Sequence, residues 1–224
     1  MASIKVSEKK IRFIQKTLND LYADPQPPLN HVDHFTLLVS VLLSAQTTDK
    51  KVNEITPELF RRAPNPQKMS ELPVAEIQKL IRQVGLAPQK AKALSGLAKK
   101  LLSDFGGQVP KTREELESLP GVGRKTASVV LAQAFGIPSF PVDTHIHRLS
   151  MRWRLSRGKN VLQVEVDLKE HFPEKVWNIL HLQIIFYGRQ YCGARQCDGT
   201  KCTICAWCLA EDSIVSKSKG SKLR

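Results

Sequence analysis

Apolar residues in this 224-residue chain recur at helical spacing and almost nowhere alternate, which excludes a sheet-based core. Ile11, Ile14, Leu18 and Leu21 form one stripe, ended by Asp24-Pro25-Gln26-Pro27-Pro28. Phe35 to Ala45 is apolar nearly all round, the pattern of a central buried helix. Asp49 is placed to cap the next helix, and Thr56-Pro57 is expected to end it and start another. Pro73 to Val84 is amphipathic and closed by Gly85; Ala87 to Leu102 follows, closed by Gly106-Gly107. Thr112 and Glu115 have capping-box spacing, as have Asn160 and Gln163. Further helices are expected over Arg124–Phe135, Thr144–Trp153, Val161–Phe172 and Pro173–Tyr187. No repeat, low-complexity tract or strand pattern interrupts them, so the expected fold class is all-α.

Hydrophobic residues make up 42% of the chain, enough for a sizeable core. The longest nearly apolar stretch, Phe35 to Ala45, is broken by Thr36, Ser40 and Ser44 and falls short of the ~20 residues a membrane span needs. With no apolar signal core near Met1, a cytoplasmic location is expected, with no membrane partner. Lys and Arg number 34 against 21 acids, a net charge of +13. Arg148, Arg152, Arg154, Arg157 and Lys159 lie together with no acid among them. Such a surface attracts polyanions, and DNA binding draws largely on counterion release. A solvated helix face plus a basic tail (Lys217, Lys219, Lys222, Arg224) is the plainer alternative.

All five cysteines lie between Cys192 and Cys208, too close together for a disulfide framework. Clustered thiols without a secretion signal read as a metal or iron–sulfur site, the alternative being inert reduced thiols.

Leu119-Pro120-Gly121-Val122-Gly123 lies between two helices. Its glycines permit a tight turn with positive φ and leave the backbone open to approach. Free N–H groups at the start of the next helix would then take one phosphate of a nucleic-acid backbone without reading a base. Lys125 falls in that first turn, where the helix dipole and Arg124 both work against an ammonium. A neutral amine can attack a sugar aldehyde carbon and form a Schiff base; holding phosphate is the commoner task. Asp143, in Pro141-Val142-Asp143-Thr144-His145, sits where an N-cap belongs. Its carboxylate could also remove protons or steady a cationic sugar.

The run Leu119-Pro120-Gly121-Val122-Gly123-Arg124-Lys125-Thr126-Ala127, with Val142-Asp143-Thr144-His145-Ile146, resembles endonuclease III of the helix–hairpin–helix superfamily. The likeness extends from Phe35 to Cys208, taking in Leu42–Asp49, Val84-Gly85-Leu86 and Gly188-Arg189. The resemblance implies two helical lobes around a DNA-binding cleft. A six-helix barrel would span 27–137, and 1–26 plus 138–210 would form the second lobe with a cysteine-rich loop, leaving 211–224 as a flexible basic tail. It implies a monomeric base excision repair enzyme acting on duplex DNA that holds damaged bases or abasic sites, and nucleoid-associated. Oxidised pyrimidines would be flipped out and removed, and the strand cleaved 3′ by β-elimination. Lys125 would be the nucleophile and Asp143 the catalytic carboxylate. Pro120, Gly121, Val122 and Gly123 would form the hairpin, while Gln46 and Leu86 would fill the gap left by the flipped base. His145 and Arg148 would contact phosphate, although His145 could simply be a packed histidine. A monofunctional glycosylase and a non-catalytic DNA-binding module are the rivals; Lys125 argues against the first, and its pairing with Asp143 against the second.

The family's [4Fe–4S] signature, Cys-x6-Cys-x2-Cys-x5-Cys, departs here. Counted from Cys192 it falls on Gly199, Cys202 and Cys208. The expected ligands are Cys192, Cys202, Cys205 and Cys208, with Cys197 as a substitute, holding a [4Fe–4S] cluster; zinc or no metal are the alternatives. The site would shape the basic loop from Gly193 to Lys201 for phosphate contact.

Overall fold

A computed structural model describes residues 6–195, 197, 199–200 and 202–220, with side chains up to 213. All regular structure among these is helical. Helix α1 (Glu8–Leu21) comes first, and the chain then divides into two compact units. One is contiguous, Pro27–Ser139; the other joins Met1–Gln26 to Phe140–Arg224.

The contiguous unit holds α2 (His34–Ser44), α3 (Asp49–Arg62), α4 (Pro66–Glu71), α5 (Val74–Leu80), α6 (Ala87–Phe105), α7 (Arg113–Glu117) and α8 (Arg124–Phe135). Every residue of α2 from Phe35 to Leu43 is buried, and α3, α6 and α8 pack around it. A helix apolar on all sides must be surrounded. Asp33 and Thr36 form a reciprocal capping box that starts it.

Several local expectations are corrected here. The cap of α3 is Thr48, whose side chain accepts from the Lys51 N–H, and Asp49 is the first helical residue. The helix also runs through Pro57 instead of ending there. Val52, Ile55 and Leu59, on both sides of the proline, are all buried, so packing of one face outweighs the lost hydrogen bond. Thr112 and Asn160 do cap α7 and helix α10 (Val161–His171), but neither forms the reciprocal box. The Thr112 hydroxyl donates to Glu115 Oε2, and Gln163 turns to Asp167 instead. Helix α4 was not foreseen from periodicity; Asn65 caps it and Pro66 opens it.

The discontinuous unit packs α1 with α9 (Thr144–Arg152), α10, α11 (Trp177–Gln190) and α12 (Thr203–Gly220), plus a short 3-10 turn at Glu174–Val176. Trp153, Tyr187, Phe140 and Phe172 fill its core. Ser7 caps α1, whose Ile14 and Leu18 are fully buried. Phe13 stacks on Trp207 of α12 at 4.3 Å, and the buried Lys10 Nζ pairs with Asp212 at 2.7 Å. Helix α12 occupies most of the stretch expected as a basic tail; Lys222 and Arg224 lie outside the described residues.

Candidate functional site

The hairpin between α7 and α8 is held by alternation. Leu119 and Val122 are buried in the core, while Gly121 and Gly123 are exposed. The Val122 N–H donates to Leu119 O at 3.1 Å, closing the turn. Only Gly121 takes the left-handed conformation, at φ +79°. A Cβ there would lie 2.8 Å from Ala93 Cβ and 3.1 Å from Leu42 Cδ1, so the turn rests directly on α6 and α2. Pro120 leans on Gly96, one turn along α6 from Ala93. Gly123 is different: its φ is −103°, nothing faces its missing Cβ, and it starts α8 with no side-chain cap. The start of α8 is thus the positive end of its helix dipole, with no side-chain cap over it. Lys125, in the first turn of α8, is exposed.

Gln46 and Leu86 are exposed, and both take positive φ, at 55° and 60°. Left-handed backbone in two non-glycine residues is strain that surrounding contacts must sustain. Those contacts join the two turns to each other. A Cβ on Gly85 would lie 2.9 Å from Gln46 O, and the Gly85 N–H donates to Thr47 Oγ1 at 3.1 Å. Beneath them lies Lys90, a buried lysine that sequence reading missed. Its Nζ donates to Leu43 O at 2.8 Å, Ala45 O at 2.5 Å and Thr47 Oγ1 at 3.3 Å, occupying the open carbonyls at the end of α2. Burial pushes its amine below the ordinary lysine range. Ala87, Lys90, Ala91 and Leu94 share one buried face of α6.

In the discontinuous unit, Asp143 is half-buried and caps α9, with Oδ1 accepting from the Ile146 N–H at 2.8 Å. His145 is packed: its Nδ1 accepts from Arg148 Nη2 at 3.2 Å, and burial lowers its pKa from the ordinary 6.5. Arg148 Nη2 also donates to Gly188 O at 3.2 Å and Cys192 O at 3.0 Å, tying α9 to the end of α11. One turn on, Arg152 donates to Cys192 Sγ at 3.1 Å, Gly193 O at 2.9 Å and Ala194 O at 3.0 Å. This second fastening was missed, although Arg148 and Arg152 are spaced to share a helix face.

Five buried cysteines follow α11. The sulfurs of Cys192, Cys197, Cys202 and Cys205 all lie within 4.8 Å of one another. This donor set differs from the expected one in a single member: Cys197 joins the group and Cys208 does not. Cys208 lies further along α12, where it feels the charges of Lys10 and Asp212, and burial pushes its thiol up to about 12. Four buried thiols are a donor set that soft metals and iron–sulfur centres accept. Gln196, Asp198 and Lys201, in the loop expected to contact phosphate, lie outside the described residues. No helix of the described residues is long and apolar enough to cross a membrane.

Residues 39–174 match the model of the HhH-GPD superfamily of base excision DNA repair proteins. Endonuclease III of Bacillus subtilis (strain 168) is 40% identical over 201 residues, covering 89% of this chain and 92% of that relative. Among solved structures, a trapped endonuclease III–DNA covalent intermediate aligns with TM-score 0.85 and 38% identity, over 89% of this chain and 94% of that one. A non-covalent endonuclease III–DNA complex aligns with TM-score 0.87 and 36% identity, over 95% and 100%. With this similarity along nearly its whole length, and a superfamily match across most of it, the chain belongs to the endonuclease III family of helix–hairpin–helix base excision repair proteins.

Proposed function

We propose that this chain is a DNA glycosylase and abasic-site lyase that removes oxidised pyrimidines from duplex DNA, with Lys125 as nucleophile and Asp143 as the carboxylate that assists it. The observation that carries this reading is Lys125 itself, exposed in the first turn of α8 directly behind the hairpin. A relative at 38% identity was solved as a trapped covalent intermediate with DNA, which supports an amine in that part.

The positive end of α8 holds one phosphate at the hairpin, and the open face of Gly123 lets it approach. Gln46 and Leu86 occupy the space that an extruded nucleotide leaves in the stack. Lys125 Nζ adds through its lone pair to C1′ as the glycosidic bond breaks, and the base departs with the bonding pair and takes up a proton. Asp143 accepts the proton that the amine sheds and steadies the positive sugar. The C1′–O4′ bond then breaks, O4′ keeping the pair and taking back the proton held on Asp143, which leaves an iminium at C1′; loss of a C2′ proton from it expels the 3′-phosphate. Water then hydrolyses the imine and frees the lysine. Arg148 and His145, engaged with α11, are given the part of holding Asp143's helix rather than phosphate contact. The cysteine group braces the loop after α11 and takes no part in base removal.

Borohydride added to the protein with abasic-site DNA should yield a covalent adduct, and Lys125→Ala should abolish both adduct and strand cleavage while DNA is still bound. Base removal without cleavage by the wild-type protein would point to a monofunctional glycosylase. DNA binding with neither reaction would leave only a duplex-binding module.

A further inference from the structure

The family resemblance carries with it a four-iron cubane, and the thiols of this chain do not have a cubane's spacing. Each thiolate on a cubane rides on its own iron and diverges from the centre, which sets the sulfurs roughly 6 Å apart. Here all four sulfurs fall within 4.8 Å, and two pairs, Cys192–Cys205 and Cys197–Cys202, stand at 3.7 Å. Four thiolates at ~2.3 Å from one zinc ion form a tetrahedron with edges of ~3.8 Å. We infer that Cys192, Cys197, Cys202 and Cys205 hold a single tetrahedral zinc ion in place of the iron–sulfur cluster.

Three further observations agree. The ligands form two short pairs, Cys192-x4-Cys197 and Cys202-x2-Cys205, the spacing of structural zinc sites. The cluster register is also displaced in the backbone. Its second position falls on Gly199, at φ +96°, a conformation that a cysteine would adopt only under strain. Its fourth falls on Cys208, which stands outside the group. Finally, four thiolates around one divalent ion carry two excess negative charges. Arg152, at 3.1 Å from Cys192 Sγ, supplies a neighbouring positive charge and fixes that ligand through its bonds to Gly193 O and Ala194 O. Zinc here would fasten the start of α12 to the end of α11.

The decisive measurement is elemental analysis and visible absorption of the full chain, reconstituted anaerobically either with zinc or with iron and sulfide, then desalted. About one zinc per chain, with no chromophore retained from iron and sulfide, is the expected result. About four irons with sulfide, a single iron, or no bound metal in either arm would each overturn the assignment. Cobalt substitution should give the intense visible bands of tetrahedral thiolate coordination, and their absence would count against it. Cys208→Ser should keep full metal content while Cys197→Ser loses it; the reverse pattern restores the cluster register. If Cys197→Ser does not fold, the wild-type metal content decides alone. None of these readouts depends on base removal or strand cleavage, so the lyase proposal stands or falls separately.

Discussion

The two exposed glycines of the hairpin serve different ends, and alanine at each position separates them. At Gly121, alanine meets two obstacles: a left-handed backbone at φ +79°, and a Cβ lodged 2.8 Å from Ala93 Cβ and 3.1 Å from Leu42 Cδ1. The first costs roughly 1–2 kcal/mol and the second, as overpacking, about 1–3 kcal/mol, giving about 2–5 kcal/mol together. Out of a total stability of roughly 5–15 kcal/mol that is a large share. With a urea dependence of about 2 kcal/mol per molar, a loss of about 3 kcal/mol lowers the unfolding midpoint by about 1.5 M. At Gly123 a Cβ meets nothing, and alanine in place of glycine at the N-cap costs about 1 kcal/mol or less. That Cβ would stand between the backbone and a phosphate. Losing a charge-assisted hydrogen bond of about 1.5–3 kcal/mol weakens DNA binding tenfold or more. Urea titration followed by far-UV circular dichroism reads both units. Tryptophan emission reads only the discontinuous one, because Trp153, Trp177 and Trp207 all belong to it. Equal midpoints for Gly121→Ala and wild type, or equal stability losses for the two variants, would refute the division of labour.

Asp143→Asn keeps an N-cap that asparagine fills as well, so thermal stability should change by less than about 0.5 kcal/mol while base removal slows in single-turnover assays. Lys90→Met leaves Leu43 O and Ala45 O without their donor; a loss of about 1–3 kcal/mol in chemical denaturation is expected. For His145 the folded-state pKa lies below the ordinary 6.5, so the unfolded chain binds the proton more readily. Its contribution is therefore present above about pH 6.5 and lost as pH falls below that, and His145→Gln should flatten the slope of Tm against pH in that range.

Periodicity made the helices legible because each buries one continuous stripe, and α2 announced itself by being apolar on every side. Pro57 misled because local rules describe what a proline removes, not what Val52 and Leu59 retain on either side of it. Helix α12 was hidden because its anchor, Trp207 against Phe13, joins residues far apart in the chain. The hairpin, Lys125 and the Asp143 cap could be read locally, since each depends on residues within a turn or two. Lys90 and Arg152 were harder. Most of their partners are backbone carbonyls, which every sequence possesses and none advertises. The thiol group fell between these cases: residue type declared a metal, but choosing Cys197 over Cys208 required knowing how the loop returns.

Helix α1 finds its apolar partners in α11 and α12, through Phe13 on Trp207 and Lys10 with Asp212. During synthesis at ~5–20 residues per second, it must therefore wait roughly 10–40 s after leaving the ribosome before Trp207 follows. Residues 27–139 can assemble during that interval, while Ile14 and Leu18 remain uncovered. The nascent chain is thus most exposed to chaperones and proteases at its oldest segment, and synonymous codons that slow translation between the two should lengthen that vulnerable period without altering the finished protein.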